Sequence, residues 1–227
     1  MPRQTILRSL PRFFAILLPL AGLSTAQAEE PKTSPHNRPV VISPGEKVEV
    51  NVFGIQAKGS KFVFVVDRSG STDGGALAAS KAELLHGIEP INDRQQFQII
   101  LYNEKPKIFN PTGTPGKLAF GTDENKAEVR KFLSGIEADG GTDHEAALAL
   151  AMKLHPDVVF LFTDGDDPQL SARQLDRIDR IGPGVVINTV QFGNGPQTKK
   201  DHFLGKLAKQ SGGEFKYVDL KASKSDK

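Results

Sequence analysis

The stretch KFVFVVDRSGST, residues 61–72, decides the fold of this chain. Residues 62–66 are an unbroken run of apolar, β-branched and aromatic residues, which is typical of a strand buried on both faces. Directly after this run come Asp67, Ser69 and Ser71, spaced two apart. Because open α/β sheets bind ligands at the carboxyl ends of their strands, this carboxylate and these hydroxyls form half of a candidate site.

Apolar runs and amphipathic segments alternate along the rest of the chain. Strands are predicted at residues 97–101, 158–162, 185–190 and 215–218, and helices begin near residues 73, 122, 143, 171 and 198. Strands that alternate with helices at this spacing predict an α/β fold with a doubly wound, mostly parallel sheet flanked by helices, similar to the Rossmann arrangement.

Two weaker patterns predict strands at a sheet edge. Residues 48–52 alternate apolar and polar side chains, as a half-exposed edge strand would. Residues 108–109 and 118–120 flank a Pro/Gly-rich turn, which predicts a small edge hairpin. The main domain is expected at residues 59–220, after a linker with the edge strand at 29–58 and before a polar tail at 221–227.

The first 28 residues have the pattern of an export signal. Arg3, Arg8 and Arg12 form a positive segment, residues 13–23 are apolar, and Ala26-Gln27-Ala28 resembles a signal-peptidase site. The apolar run is shorter than the roughly 20 residues of a spanning helix. We therefore expect cleavage after Ala28 and a periplasmic or extracellular protein with no membrane insertion; the alternative is an uncleaved segment that anchors the chain.

Net charge and cysteine content narrow the classes of partner and of metal site that this chain could have. Three of the 29 basic residues lie in the signal, so the remaining chain has 26 basic and 27 acidic residues and a formal net charge of −1. That balance does not suggest a nucleic-acid partner. The chain has no cysteine, which excludes disulfides and thiolate metal sites and fits an exported bacterial protein better than a secreted animal one.

Two other loops can complete the site that begins at Asp67. Gly140-Gly141-Thr142 precedes a predicted helix, and Thr163-Asp164-Gly165 ends a predicted strand. In a doubly wound sheet these loops share one edge. Carboxylates and hydroxyls suit a hard cation such as Mg²⁺, which takes about six oxygens and keeps several as water. The absence of imidazole and thiolate from these loops argues against zinc and copper.

Each loop also has an ordinary structural interpretation. Residues 71–73 could cap the following helix, Thr142 with Glu145 fits a capping box, and the loop at Asp164 could be a simple turn. The combination of all three loops in this order favours the metal site.

The combination resembles the von Willebrand factor type A domain and its metal-ion-dependent adhesion site. The resemblance spans about residues 61–220 and rests on Asp67-x-Ser69-x-Ser71, Thr142 and Asp164. It implies that these five residues hold Mg²⁺, with Mn²⁺ or Ca²⁺ as alternatives, directly or through water. An Asp or Glu side chain of a protein partner would then complete the coordination. Thr72 departs from the hydrophobic residue that the family often has there, at a position that does not coordinate.

Four further residues lie near the site without being predicted ligands. Arg68 could fold back onto a carboxylate or point toward the partner, and we expect a rim or surface position for His144. Asp166-Asp167 either deepens the negative field at the rim or forms a solvated turn.

The resemblance implies a binding module and not an enzyme. One alternative is a Mg²⁺-dependent phosphatase that uses Asp67 as nucleophile. Such enzymes resemble Asp-x-Asp, whereas this chain has Ser69 at the second position, and it lacks the nucleophile-elbow, P-loop and dinucleotide-binding motifs. A further alternative is a structural domain of an envelope assembly with little use of metal.

Overall fold

The computed structural model describes residues 45–114, 116–166, 168–197 and 202–222. The predicted signal, the predicted linker up to residue 44, and residues 223–227 of the predicted tail lie outside these ranges. Within the described ranges, no helix has both the length and the apolar character needed to cross a membrane.

Nine strands and five α-helices make up the described part of the chain. The strands are β1 (Val48–Val52), β2 (Ile55–Gly59), β3 (Lys61–Asp67), β4 (Gln96–Tyr102), β5 (Lys107–Ile108), β6 (Ala119–Phe120), β7 (Val158–Thr163), β8 (Val186–Gly193) and β9 (Phe215–Asp219). The helices are α1 (Ala76–Ile88), α2 (Asp123–Ser134), α3 (His144–Met152), α4 (Ala172–Ile181) and α5 (Phe203–Ser211).

The main sheet confirms the predicted α/β fold. Its strands run in the order β5-β4-β3-β7-β8-β9, and β6 also pairs with β4. The five strands from β4 to β9 in this order are mutually parallel, whereas β5 and β6 run antiparallel to β4. The central strand β3 therefore has a parallel neighbour on each side, as its continuous apolar sequence indicates.

Helices cover both faces of this sheet. Phe62, Phe64 and Val66 of β3 belong to one apolar cluster with residues of α1 and α2. Val63 and Val65 of the same strand belong to a second cluster with residues of α3, α4 and α5. Because successive side chains of a strand point to opposite faces, one short sequence contributes to two cores.

The strand predicted at residues 48–52 is present, but it does not belong to the main sheet. It pairs antiparallel with β2 in a separate two-stranded sheet, and β2 was not predicted. The apolar residues Val50, Val52 and Ile55 join the cluster on the α1 side of the main sheet. At the turn between the strands, the ring of Phe53 packs edge-on against Phe192 at 5.4 Å. The alternating pattern shows that one face is buried, but it does not reveal what the strand pairs with.

The prediction of an edge hairpin is wrong. Instead of pairing with each other, β5 and β6 each pair with β4, at Ile100↔Ile108 and Gln96↔Phe120 respectively. The outer edge of β4 presents unpaired backbone groups along its length, and two short segments satisfy them separately.

The helix starts predicted near residues 122, 143 and 171 agree with the structure to within one residue, whereas the start predicted near residue 198 lies outside the described residues. Thr122 caps α2 as predicted, because its hydroxyl accepts a hydrogen bond from the Asn125 amide at 3.3 Å. The helix expected near residue 73 begins later, at Ala76, since residues 70–72 first form a 3₁₀ turn. This turn occupies the carboxyl end of β3, where the candidate site lies.

Candidate metal centre

The loop after β3 is held by its own short-range hydrogen bonds. Asp67 is 1% exposed, and its Oδ1 accepts from the Ser69 amide at 2.9 Å. The hydroxyl of Thr72 donates to the Ser69 carbonyl at 2.7 Å. The hydroxyl oxygens of Ser69 and Ser71 lie 3.1 Å apart. The carboxylate and the two hydroxyls predicted as ligands are therefore gathered within one tight turn.

The loop before α3 lies directly against this turn. The Gly70 amide donates to the Gly140 carbonyl at 3.0 Å, and the Asp139 amide donates to the Arg68 carbonyl at 2.8 Å. These bonds bring the segment that carries Thr142 beside Ser69 and Ser71.

Thr142 is not the cap of α3, which removes the capping-box interpretation. The capping residue is Asp143, whose side chain accepts from the Ala146 amide at 3.0 Å. Nor does a side chain of residues 71–73 cap α1, whose N-cap is Gly75 with no side-chain hydrogen bond. The hydroxyls of Ser71 and Thr142 thus have no capping role.

The loop after β7 supplies the second carboxylate. Asp164 Oδ1 accepts from the Asp166 amide at 3.2 Å, as in an ordinary turn. Its Oδ2, however, is buried and has no hydrogen-bond partner. The hydroxyl of Thr163 donates to Asp67 Oδ2 at 2.6 Å and connects this loop to the first. The turn interpretation therefore accounts for only one of the two Asp164 oxygens.

The electrostatics of this region favour a bound cation. Burial raises the pKa of Asp67 above its ordinary value; hydrogen bonds from Thr163 and Ser69 act in the opposite direction, and the nearby charge of Asp164 raises it further. A buried oxygen without a donor, such as Asp164 Oδ2, is costly unless something compensates it. A hard divalent cation would satisfy both carboxylates, so the residues present fit such an ion.

The side chains available here restrict which ligands could hold a metal ion. Among the described residues, no group of three or more His, Cys, Asp or Glu side chains is placed to hold a metal ion. A cation here must rely on two carboxylates supplemented by hydroxyls and water, which is the predicted set. The role of these residues as ligands remains a prediction.

His144 is buried, so the expected rim or surface position was wrong. It is 1% exposed, and its Nδ1 lies 2.8 Å from the hydroxyl of Tyr102. Burial lowers the pKa of His144. Its Nε2 lies 3.4 Å from the Asp166 carbonyl, so the ring connects β4 to the loop after β7.

Tyr102 and Thr163 were missed as residues that support the site. Both are buried at the carboxyl ends of strands. In the sequence Thr163 belongs only to the turn Thr163-Asp164-Gly165, and the predicted strand at 97–101 ends one residue before Tyr102. The position of each at the end of a buried strand was the available signal.

Arg68 folds back onto a carboxylate. Its Nη1 lies 3.5 Å from Asp139 Oδ2, and the side chain is 16% exposed. Asp166 is exposed at the rim, and Asp167 lies outside the described residues.

A cavity of about 350 Å³ adjoins the site on the Asp164 side. Its lining includes Ser71 and Asp164 from the candidate metal centre, and Gln191, Asn194 and Tyr217 from β8, the loop after it and β9. The candidate metal centre is therefore not sealed, and there is room beside it for a group from another molecule.

Comparison with known proteins identifies the class of domain. Residues 62–166 match the model of the von Willebrand factor type A domain. A von Willebrand factor type A structure from Catenulispora acidiphila aligns over 81% of this chain and 45% of that chain, at 21% identity and a TM-score of 0.60. BatB from Bacteroides thetaiotaomicron aligns over 74% of this chain and 95% of that chain, at 15% identity and a TM-score of 0.55. At these identities the two structures show the fold alone.

The curated relatives match this chain over only a small part of their own length. Inter-alpha-trypsin inhibitor heavy chain H4 from Homo sapiens is 27% identical over 126 residues, which are 50% of this chain and 13% of that protein. The protein of the same name from Bos taurus is 26% identical over 117 residues, 12% of its length. This chain contains a von Willebrand factor type A domain, and domains of this family typically mediate protein–protein interactions.

Proposed function

We propose that this domain binds a protein partner through Mg²⁺ at its candidate metal centre. The metal ligands would be Asp67, Ser69, Ser71, Thr142 and Asp164, and Mn²⁺ or Ca²⁺ could replace Mg²⁺. The observation that carries the proposal is the buried Asp164 Oδ2, which has no hydrogen-bond partner although it lies near a second buried carboxylate.

The side chains at the site prepare it for a cation and an outside acid. Thr163 and the Ser69 amide orient the two oxygens of Asp67. Mg²⁺ takes about six oxygen ligands, and the proposed set supplies five, so one position remains for a ligand from outside. Bound Mg²⁺ would supply an electrophilic position for an Asp or Glu side chain of the partner. The cavity beside Asp164 and Ser71 offers space for neighbouring groups of that partner.

We further propose that binding takes place outside the cytoplasm. The export pattern of residues 1–28 supports this location. A periplasmic or extracellular protein with an exposed Asp or Glu is then the expected partner.

The phosphatase alternative is less well supported by the geometry. Both carboxylate oxygens of Asp67 already accept hydrogen bonds, and Ser69 stands where a second acid would be needed. We expect no Mg²⁺-dependent hydrolysis of p-nitrophenyl phosphate by the purified protein. Hydrolysis that disappears in Asp67→Ala would contradict the binding module.

Thermal unfolding with increasing Mg²⁺ tests the proposed centre. A ligand that binds only the folded state raises stability by RT ln(1 + [L]/Kd), about 2.7 kcal/mol at a hundredfold excess over Kd. We expect the melting temperature to rise in the wild type and in Asp176→Ala, which changes an exposed carboxylate of α4. Asp164→Ala should show no rise. An equal response in all three proteins would exclude the site and favour a structural domain with little use of metal.

Capture of proteins from the cell envelope tests the binding function itself. The wild-type domain should retain an envelope protein in Mg²⁺ and release it in EDTA, whereas Asp164→Ala should retain none. A partner held equally well in EDTA would show that the metal is not part of the interface.

A further inference from the structure

The part of the loop from Asp139 to Asp143, which carries Thr142, is attached at both ends to one buried residue, Asn103. Residues 135–143, between α2 and α3, form neither helix nor strand. Asn103, 5% exposed, directly follows β4. Its Nδ2 donates to the Asp139 carbonyl at 2.9 Å and to Asp139 Oδ1 at 3.2 Å. Its own carbonyl accepts from the Asp143 amide at 3.1 Å. Thr142 lies between these two attachments.

The amide of Asn103 is itself held in one orientation. Its Oδ1 accepts from the Lys105 amide at 2.8 Å, so the Nδ2 must point toward Asp139. Gly140 makes this arrangement possible: it has φ +72°, and a Cβ at that position would lie 2.8 Å from Asn103 Nδ2. The backbone of the segment therefore touches the amide closely, with no side chain between them.

We infer that Asn103 is a positioning residue that sets the Thr142 hydroxyl against Ser69 and Ser71. This inference rests on the proposed function, because it assumes that Thr142 is a metal ligand. A loop ligand keeps its place only if its backbone is fixed. Besides the backbone bonds with Gly70 and Arg68, the Asn103 side chain ties this loop to the end of β4. Groups that orient metal ligands in this way commonly affect metal affinity by about 10–100-fold.

Arg68 supports the same segment more weakly. Its carbonyl accepts from the Asp139 amide, a bond that no side-chain substitution removes. The ion pair between its guanidinium and Asp139 spans 3.5 Å, and the Asp139 side chain is 70% exposed. Pairs of this kind contribute little, so we assign the main positioning role to the Asn103 amide.

The test compares Asn103→Ala with Gln98→Ala. Gln98 lies within β4 and also has a buried side-chain amide, whose Nε2 donates to the Lys117 carbonyl at 2.7 Å, away from the metal centre. Mg²⁺ affinity is measured on each purified protein by calorimetric titration, and stability by urea unfolding in EDTA. Both variants should lose stability, since each removes a buried amide and its hydrogen bonds. Only Asn103→Ala should bind Mg²⁺ about tenfold more weakly.

Two results would overturn the inference, and they differ from failure of the proposed function. Wild-type affinity in Asn103→Ala, or an equal loss of affinity in both variants, would show that Asn103 has only a structural role. No Mg²⁺ binding by the wild type would instead refute the proposed metal centre, and the inference with it. If Asn103→Ala fails to fold, Gly140→Ala in the exposed part of the loop replaces it. Ala is strained at φ +72°, and its methyl would lie 2.8 Å from Asn103 Nδ2, so the loop and the amide should both shift and Mg²⁺ binding should weaken several-fold. Unchanged affinity would contradict the inference.

Discussion

Carboxylates lie at both ends of the paired strands β3 and β7, but the hydrogen bonds to them and the directions of their pKa shifts differ. At the amino end, Asp157 Oδ2 accepts from the Ser60 amide at 2.6 Å, the Ser60 hydroxyl at 2.8 Å and the Lys61 amide at 3.0 Å. Burial alone would raise the pKa of Asp157, but these hydrogen bonds lower it below its ordinary value. At the carboxyl end, burial raises the pKa of Asp67, and one oxygen of Asp164 has no partner.

The difference separates a carboxylate whose charge is stabilised by hydrogen bonds from one that has a buried oxygen without a donor. The protein supplies three donors to one oxygen of the partly exposed Asp157, so this residue connects the starts of β3 and β7 without a ligand from outside. The carboxyl end concentrates negative charge without enough donors to stabilise it. A shortage of this kind is expected where an external cation completes the structure.

The largest expected effect is loss of the Mg²⁺ response in Asp67→Asn. At a Mg²⁺ concentration about a hundredfold above Kd, the wild type should gain about 2.7 kcal/mol in its free energy of unfolding, and the variant almost none. In EDTA the variant should be at least as stable as the wild type, because a neutral amide avoids the cost of burying a charge. Urea unfolding with and without Mg²⁺ measures both quantities. A large loss of stability in EDTA would show that Asp67 is a structural carboxylate like Asp157.

Asp157→Asn should have the opposite consequences. Replacing the charged acceptor weakens three hydrogen bonds, and we expect a loss of about 2 kcal/mol in the free energy of unfolding, reduced from a fully buried case by partial exposure. The stabilisation by Mg²⁺ should be unchanged. The same unfolding experiments provide the measurement, and a variant with wild-type stability but altered Mg²⁺ affinity would reverse the roles assigned to the two ends.

Thr72→Val tests whether hydrogen bonds within the first loop serve stability or metal binding. The hydroxyl of Thr72 donates to the Ser69 carbonyl, and Val preserves the shape of the buried side chain. We expect a loss of about 1 kcal/mol in stability and little change in Mg²⁺ affinity, because Thr72 is not a proposed ligand. Calorimetric titration with Mg²⁺ would contradict this assignment if the affinity fell as far as in Asn103→Ala.

The smallest effect is expected in the acid dependence of stability. The pKa of Asp157 is lower in the folded protein than its ordinary value of 3.8. Its stabilising contribution is therefore complete above that value and is lost as the pH falls through the folded-state pKa. The difference in stability between wild type and Asp157→Asn should be largest near neutral pH and should decrease in acid, by only part of its full size, when unfolding is followed in EDTA. A constant difference down to the most acidic condition would show that the Asp157 charge has no role.

Much of the fold and of the candidate site could be predicted from local sequence. The run at residues 62–66 predicts a strand buried on both faces because no polar side chain interrupts it, and β3 has that environment. Asp67, Ser69 and Ser71 are spaced two apart in sequence, so a single turn is enough to bring them together. Asn103 could not be predicted in the same way, since nothing in its neighbours indicates that it binds a segment almost forty residues away.

The edges of the fold show the same limit. The alternation at residues 48–52 correctly predicted a strand, because burial of one face depends on the strand's own side chains. Its pairing with β2 was missed, as was the pairing of β5 and β6 with β4. Backbone hydrogen bonds between strands depend on which edges meet, because every residue has the carbonyl acceptor and every residue except proline has the N–H donor.

The sequence alone determined the class of fold, the three loops and the residue types that suit a hard cation, because these follow from side-chain chemistry and its order along the chain. The tertiary structure decided which carboxylates lack donors. Asp157 and Asp164 both lie next to β7 in sequence, yet Ser60 and Lys61 of another strand satisfy the first, while an oxygen of the second is buried without a partner. Such a difference depends on donors from distant parts of the chain, and only folding brings them to one carboxylate and not to the other.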